Sequence, residues 1–231
     1  LGSGTTTITA TSGSLLSSTT LTVTKWTFAN SGTTLDLRGI AWSGTQLLAV
    51  GDANTNTGNA TMLTSPDGVT WTTQKPGWGY LYGVYWLGSE FGAVGQGGTI
   101  ITSSTGVSWT SHLTGTYNPL CGLAWSGTQY VATGSLLVLS SPDKVVWTSR
   151  VPGLTNTQND VVWSGTQFLT VGYGGKIFTS TDGISWTQQI SGTTNSLNGV
   201  VWSGTQFVVV GENGTVLTSP DGVVWSSQTS G

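Results

Sequence analysis

The carboxylates of this chain are few, and their positions decide which chemistry it can perform. Among 231 residues, nine are Asp or Glu, six are Lys or Arg and one is His. Hydrolysis of a glycosidic bond needs two carboxyl groups that flank the scissile bond. Four of the nine recur at one place in a repeated turn pattern, which predicts a structural role for Asp67, Asp143, Asp182 and Asp221.

The remaining carboxylates offer only a weak basis for catalysis. They are Asp36, Asp52, Glu90, Asp160 and Glu212. A closed ring of repeats would bring Asp52, Asp160 and Glu212 to one face, so glycoside hydrolysis stays open as an alternative. His112 and Cys121 are single residues of their kind, and one Cys with one His cannot build a zinc site or an intrachain disulfide. We therefore expect no metal, no cofactor and no enzymatic activity.

The composition excludes two further classes of function. Charged residues make up 6% of the chain and the net charge is −3, so no clustered basic face is available for nucleic acid. No apolar run approaches the 18 residues that a membrane-spanning helix needs, so no membrane insertion is expected. Because 36% of the residues are hydrophobic, the chain can still form a core.

A unit of about forty residues is repeated five times, and two tryptophan positions mark it. The first position is held by Trp42, Trp86, Trp125, Trp163 and Trp202. The second position is held by Trp71, Trp109, Trp147, Trp186 and Trp225. A repeat of this length indicates a stacked or circular array of identical supersecondary units.

Each unit is predicted to contain four short strands, which we name A to D in chain order. The unit at 198–228 contains four β-branched and aromatic runs, each bounded by Gly, Ser, Asn or Asp, which is the pattern of strands and tight turns. Four antiparallel strands in about forty residues form one blade of a β-propeller. The chain is therefore predicted to be an all-β propeller with units at 38–75, 82–113, 121–151, 159–190 and 198–228.

The C–D turn carries the most recognisable motif, Ser-x-Asp-Gly-x-x-Trp. It reads SPDGVTW at 65–71, STDGISW at 180–186 and SPDGVVW at 219–225, and it decays to SSTGVSW at 103–109 and SPDKVVW at 141–147. This motif resembles the Asp-box of BNR-repeat and sialidase-type propellers, and the whole unit is similar to blades of photosystem II assembly-factor-like propellers. A sialidase would require three arginines, and this chain has only Arg38 and Arg150. The resemblance therefore implies the fold without the hydrolase chemistry.

The N-terminal residues do not match the unit. The Thr-rich segment within 1–25 resembles the end of a bacterial group 2 immunoglobulin-like domain, which implies an extracellular or cell-surface protein. Trp26 nevertheless lies at the spacing of a strand-D tryptophan. The propeller at 26–231 is thus expected to be a ring of five blades, or of six with an irregular N-terminal blade. An open ring would leave strand edges that favour oligomers.

The loops that differ between units indicate where a ligand would bind. Because successive strands are antiparallel, the A–B and C–D turns share one face, and the B–C and D–A loops share the other. The second face carries a long polar loop at 52–60 and an aromatic loop at 75–83. Stacking rings beside amides suit a sugar or an extended peptide. The predicted ligand-binding residues are Trp78, Tyr80, Tyr82, Asp52, Asn54, Asn56, Asn59 and Arg38.

A second variable set lies just before strand A and is expected to line the mouth of the central channel. It comprises Arg38, Tyr82, Cys121, Asn159 and Asn198. The favoured function is a non-enzymatic binding or display propeller with a carbohydrate ligand, and a protein ligand is the next choice. The alternatives are a scaffold or assembly propeller, a glycoside hydrolase, or a recently amplified array without a ligand. The loop aromatics would then only cover the seam between the first two blades.

Overall fold

The computed structural model describes residues 8–12, 15–19, 29–75, 77–151 and 154–230. Within them the chain is all-β, with one four-stranded antiparallel sheet for each sequence unit, which confirms the predicted propeller blades. Chain order and spatial order agree in every sheet. The only helices in these residues are single 3₁₀ turns, and none is long or apolar enough to cross a membrane.

The strands of the five units have the following bounds. Unit 1 contains β3 (Leu37–Trp42), β4 (Leu47–Ala53), β5 (Ala60–Ser65) and β6 (Thr72–Gln74). Unit 2 contains β7 (Leu81–Trp86), β8 (Phe91–Gly95), β9 (Ile100–Ser103) and β10 (Thr110–His112). Unit 3 contains β11 (Leu120–Trp125), β12 (Tyr130–Gly134), β13 (Leu137–Ser141) and β14 (Thr148–Ser149). Unit 4 contains β15 (Gln158–Trp163), β16 (Phe168–Gly172), β17 (Lys176–Ser180) and β18 (Thr187–Ile190). Unit 5 contains β19 (Leu197–Trp202), β20 (Phe207–Gly211), β21 (Val216–Ser219) and β22 (Ser226–Gln228).

The N-terminal strands stand apart from the units. Strands β1 (Ile8–Ser12) and β2 (Leu15–Thr19) pair with each other in a separate two-stranded sheet. Most residues that support the immunoglobulin-like interpretation of 1–25 lie outside the described part of the chain. Trp26 also lies outside it.

Strand A of each unit lies innermost and packs against strand A of the next unit, so the sheets are arranged around a central axis. Every A strand has a register shift near its start, where the variable residue has no partner in strand B and the residue that follows it resumes the pairing. There Gly39 and Gly83 approach the next unit so closely that a Cβ would lie 3.0 Å or less from its atoms. This bulge turns the start of strand A toward the axis.

The repeated tryptophans stabilise each unit in two ways. In units 2 to 5 the ring at the end of strand A packs on the aromatic ring that opens strand B, as in Trp86 and Phe91, whose centroids are 4.9 Å apart; in unit 1 strand B opens with Leu47 instead. Trp71, near the start of strand D, donates its indole N–H to the Gly68 carbonyl at 3.1 Å. Trp109, Trp147 and Trp225 make the equivalent bond, whereas the indole N–H of Trp186 is buried without a protein partner. The same residue types at the same spacing thus produce nearly the same sheet five times.

The aspartate of the C–D motif closes its hairpin. Asp67 Oδ1 accepts hydrogen bonds from the backbone N–H groups of Val69 and Thr70, both at 2.8 Å. Asp143, Asp182 and Asp221 make the same pair of bonds. These bonds lower the pKa of all four carboxyl groups. We call these segments, with the related turn at 103–109, the aspartate hairpins.

The five units form an arc whose two ends do not pack against each other. Consecutive units are joined by contacts of strands A and B with the following strand A. No comparable packing joins β19 or β20 of unit 5 to β3 of unit 1 within the described residues. Within the described residues, the five units therefore do not close into a ring.

Candidate functional site

The turns and loops lie on two faces of the arc, as strand parity requires. Gln167 in an A–B turn donates to the Asp221 carbonyl of the next aspartate hairpin at 2.7 Å. On the other side, the N–H of Ala60 at the end of a B–C loop donates to the Trp78 carbonyl in a D–A loop. We call these sides the turn face and the loop face.

A cavity of about 690 Å³ lies around the axis, at the loop-face end of the A strands. All five units contribute to its wall. The extra residue at the bulge of each unit lines it, namely Arg38, Tyr82, Cys121, Asn159 and Asn198. The structure thus brings together the set that the sequence placed at the channel mouth.

Arg38 and Asp52 form an ion pair at this mouth. The guanidinium nitrogens contact both carboxylate oxygens, and the carbon of the guanidinium lies 6.0 Å from the centre of the Tyr82 ring. The hydrogen bond raises the pKa of Arg38 and lowers the pKa of Asp52. Because both groups are accessible to water, the pair contributes little to stability but leaves a cation and an aromatic ring at the cavity entrance.

Asp160 lies in the wall of the same cavity and joins three units. Its carboxyl accepts hydrogen bonds from the Tyr85 hydroxyl at 3.2 Å and from the N–H groups of Val161 and Val200 at 2.9 and 3.0 Å. Part of the residue borders the cavity, but these donors enclose the carboxyl itself. Burial raises the pKa of the Asp160 carboxyl to about 6, because its effect is larger than that of the three hydrogen bonds, which lower the pKa.

Tyr85 and Cys121 complete this inner wall. The Tyr85 hydroxyl also donates to the Cys121 carbonyl at 2.8 Å. Burial raises the pKa of the Tyr85 hydroxyl well above its ordinary value and also raises that of the Cys121 thiol. The thiol is therefore protonated at neutral pH and is a poor nucleophile.

The predicted aromatic loop does not form one platform. Trp78 packs against the apolar cluster shared by units 1 and 2, and its indole N–H is buried without a protein partner. Tyr80 is half-buried, and its carbonyl accepts the N–H of Gln96. Only Tyr82 reaches the central cavity. Trp78 thus covers the seam between the first two units, as the alternative interpretation of these aromatics held.

The polar loop of unit 1 is also separate from the aromatic residues. Asn54 and Asn59 line a cavity of about 290 Å³ beside Lys75, away from the axis. The Asn54 side chain accepts the backbone N–H groups of Asn56 and Thr57 and so holds its own loop. Of the predicted ligand-binding set, Arg38, Asp52 and Tyr82 lie together, and Asn54, Asn56 and Asn59 lie together elsewhere.

The remaining charged residues do not converge on the central cavity, apart from Asp36. Glu90 forms an ion pair with Lys144 on the turn face, between units 2 and 3. Glu212 begins the B–C turn of unit 5. His112 bonds Thr102 within its own unit. Within the described residues, no group of three or more His, Cys, Asp or Glu side chains could hold a metal ion.

The residue that sequence reasoning undervalued is Asp160. The equivalent position is glycine in the other four units (Gly39, Gly83, Gly122 and Gly199). The sequence shows an aspartate at a repeat position that is otherwise glycine. This difference could have predicted a side chain that contacts neighbouring units.

Comparison with solved structures supports the fold. The chain is similar to a structure of YCF48 bound to D1 peptide, with a TM-score of 0.61 and 17% identity over 84% of this chain and 67% of that chain. It is also similar to YCF48 from Cyanidioschyzon merolae, with a TM-score of 0.60 and 15% identity over 94% of this chain and 75% of that one. A nidogen/laminin complex matches with a TM-score of 0.64 and 12% identity over 80% of this chain and 76% of that one.

These similarities establish a β-propeller of four-stranded blades. At such low identity they carry no information on ligand or activity. No protein-family model and no curated protein sequence matches this chain.

Proposed function

We propose that this chain is a non-enzymatic binding propeller that takes an extended segment of a partner protein at the loop-face end of its central cavity. The observation that carries the proposal is the cavity wall. It is built from one variable residue of each unit, while the turn face repeats nearly the same turns. Variable residues that line a cavity on a repetitive scaffold are the arrangement expected of a recognition site.

The wall offers groups that suit a peptide. Asn198 is exposed, Asn159 is half-buried, and the Arg38 guanidinium stands at the entrance beside Tyr82. Amide and guanidinium donors bind backbone carbonyls and carboxylates, and a tyrosine ring provides an apolar surface with a polar tip. A segment with an acidic side chain would compete with Asp52 for Arg38.

The similar solved structures include a propeller bound to a peptide and a propeller within a protein complex. This is support by analogy, since propellers host many unrelated activities. A carbohydrate ligand, which the sequence favoured, has weaker support. The indole of Trp78 packs against the cluster of units 1 and 2, and it does not line the cavity beside Asn54 and Asn59.

The hydrogen bonds that the Asp160 carboxyl accepts favour a non-enzymatic role over glycoside hydrolysis. Three of the four lone-pair positions of its carboxyl are occupied by protein donors. Asp36 lines the same cavity, so hydrolysis has a direct test: release of a chromogenic group from aryl glycosides would overturn the non-enzymatic part of the proposal. We further propose an extracellular location, from the resemblance of the N-terminal segment alone.

The test is a selection of binders from a library of random dodecapeptides displayed on phage, followed by calorimetric titration of the synthetic peptides. We expect Tyr82→Ala and Arg38→Gln to weaken binding strongly, because both side chains stand at the entrance of the cavity. Tyr117→Ala is the matched control, since this tyrosine is exposed in a D–A loop of the same face but does not line the central cavity.

Two results would overturn the proposal. One is the absence of any selected peptide that binds the wild-type protein in solution. The other is a set of peptides whose affinity is lowered as much by Tyr117→Ala as by Tyr82→Ala. In parallel, a glycan array tests the carbohydrate alternative, and binding there that is lost in Trp78→Ala would favour it.

A further inference from the structure

The junction of units 2 and 3 differs from the other three junctions on both of its sides. At the last position of the A–B turn, unit 2 has Glu90 where the other units have glutamine. At the glycine position of the aspartate hairpin, unit 3 has Lys144 where the other units have glycine. The two substitutions meet across the junction, because Glu90 Oε1 and Lys144 Nζ lie 2.5 Å apart.

The same two positions contact each other at the other three junctions. The side chains of Gln46, Gln129 and Gln167 come within 3.8, 3.1 and 3.3 Å of the place where a Cβ on the hairpin glycine of the next unit would lie. At the junction of units 4 and 5, Gln167 also donates to the Asp221 carbonyl at 2.7 Å. The ordinary contact is therefore a neutral amide against a glycine hairpin.

A third substitution leaves room for the lysine. At the other three junctions, a Cβ on the hairpin glycine would lie 2.8, 2.9 and 3.0 Å from a methyl group of the preceding unit. These methyl groups belong to Leu48, Val131 and Leu169, which hold the same position of strand B. Unit 2 has Gly92 at this position, so no side chain from there opposes Lys144.

Unit 3 adds a tyrosine to the contact. Tyr130 opens strand B where the other units have Phe or Leu, and it is buried. Its hydroxyl donates to Glu90 Oε1 at 3.4 Å, and Lys144 Nζ lies 5.3 Å from the centre of its ring. The Glu90 and Lys144 side chains are only 19% and 21% exposed, so water screens this pair less than a surface pair. Lys144 has a φ of +67°, which favours glycine, so these contacts offset a backbone cost.

A mismatched pair of units would lose these contacts and gain unfavourable ones. A glutamate against an ordinary hairpin would bring a carboxylate, which cannot donate, to the carbonyl that Gln167 contacts at the junction of units 4 and 5. A lysine hairpin against an ordinary unit would meet a Leu or Val methyl group and no carboxylate. Leaving one charge of an enclosed pair without its partner is strongly destabilising.

We propose that Glu90, Gly92, Tyr130 and Lys144 make the contact of units 2 and 3 selective, so that unit 2 accepts the hairpin of unit 3 and rejects the similar hairpins of the other units during folding. Wrong docking of similar units is a characteristic failure of repeat proteins. Specific interfaces combine favourable contacts to the right partner with unfavourable contacts to the wrong ones. This inference does not depend on the ligand proposed above.

The test compares two double variants of the full chain that both change Glu90 and Lys144. Glu90→Lys with Lys144→Glu exchanges the charges and keeps a pair that fits only itself. Glu90→Gln with Lys144→Gly gives the ordinary neutral contact and removes the selection. Both double variants keep the net charge of −3. We expect the charge-exchanged variant to have a higher urea midpoint than Glu90→Lys or Lys144→Glu alone, because each single change places like charges together.

Refolding from urea, followed by tryptophan fluorescence, separates selection from stability. A chain whose unit 2 docks on a wrong hairpin must undock before it can fold, so wrong docking adds a slow phase. We expect the wild type and the charge-exchanged variant to have the same slow-phase amplitude, and the neutral variant to have a larger one. Proline isomerisation contributes equally in all three, because none of the six prolines is changed.

The proposal is overturned if the neutral variant refolds with the slow-phase amplitude of the wild type, or if the charge-exchanged variant refolds like the neutral one. Additive losses of stability in Glu90→Lys, Lys144→Glu and their combination would also overturn it, since the two side chains would then act independently. So would a wild type that regains no native fluorescence, because its selective contact is intact.

Discussion

The exposure difference between equivalent valines predicts two unequal losses of stability from one type of substitution. Val171 and Val210 occupy the same position of strand B in units 4 and 5, but Val171 is fully buried against unit 5 while Val210 is 49% exposed. Replacing either by Ala removes two methyl groups. The comparison therefore varies only the neighbouring unit, and it tests whether unit 5 is the free end of the arc.

The expected magnitudes follow from burial. Each buried methyl contributes about 0.8 kcal/mol by transfer from water, so Val171→Ala loses roughly 1.6 kcal/mol from transfer alone. The cavity that remains, about 50 Å³, adds about 1 kcal/mol at roughly 24 cal/mol per Å³. The total is about 2–3 kcal/mol. Val210→Ala loses about half of the transfer contribution and leaves no cavity, which amounts to about 0.8 kcal/mol or less.

The assay is urea unfolding and thermal unfolding, each followed by tryptophan fluorescence. At about 2–4 °C per kcal/mol for a chain of this size, thermal unfolding should shift by roughly 5–10 °C for Val171→Ala and about 2 °C for Val210→Ala. Equal losses of stability in the two variants would contradict this expectation, because they would mean that Val210 is as buried as Val171.

Three further predictions concern the repeated architecture. Thr105→Asp should raise the melting temperature in a thermal scan, because the aspartate restores two backbone acceptor bonds that Thr105 replaces with one bond of 3.3 Å to Val107; a lower melting temperature would contradict the structural role of the hairpin aspartate. Gly183→Ala should lower the urea midpoint more than Gly192→Ala: both residues have φ above +60°, but only at Gly183 would a Cβ lie 2.9 Å from Val131, so equal losses would count against the packing of the hairpin. The pKa of Asp160 is raised to about 6, above its value near 3.9 in an unfolded chain, so the folded protein holds this proton more tightly and its stability falls as pH rises from about 4 to about 6. Between pH 4.5 and 7 this amounts to about 2 kcal/mol at 1.36 kcal/mol per unit, and urea midpoints at the two pH values should differ less in Asp160→Gly than in the wild type.

The fold could be predicted because every unit repeats the same pattern of strand residues, turn residues and tryptophans. The tryptophans at two positions and the turn residues between them specify strand number, strand order and turn type locally, and no long-range information is needed to place one unit beside the next. Ring closure, in contrast, could not be predicted from the sequence. The residues of a closed end and an open end are the same, as Val171 and Val210 show, so the sequence could not distinguish them.

The candidate site was predicted in part for a similar reason. The residues at the bulge share one position in the repeat, and the position alone places Arg38, Tyr82 and Asn159 around the axis. The loop residues have no such constraint. Trp78 was predicted to bind a ligand because it lies in a variable aromatic loop beside polar residues, with cover of the seam between units 1 and 2 as the alternative. An indole near an apolar cluster is stabilised by packing against it, and Trp78 does so.

The most direct test of the central claim is hydrogen–deuterium exchange with and without a selected peptide. If a peptide binds in the central cavity, we expect slower exchange at the loop-face end of the A strands, in residues 36–40, 80–85 and 158–160, and no change in the aspartate hairpins. Protection of the aspartate hairpins alone, or protection confined to the loop at 54–59, would contradict it.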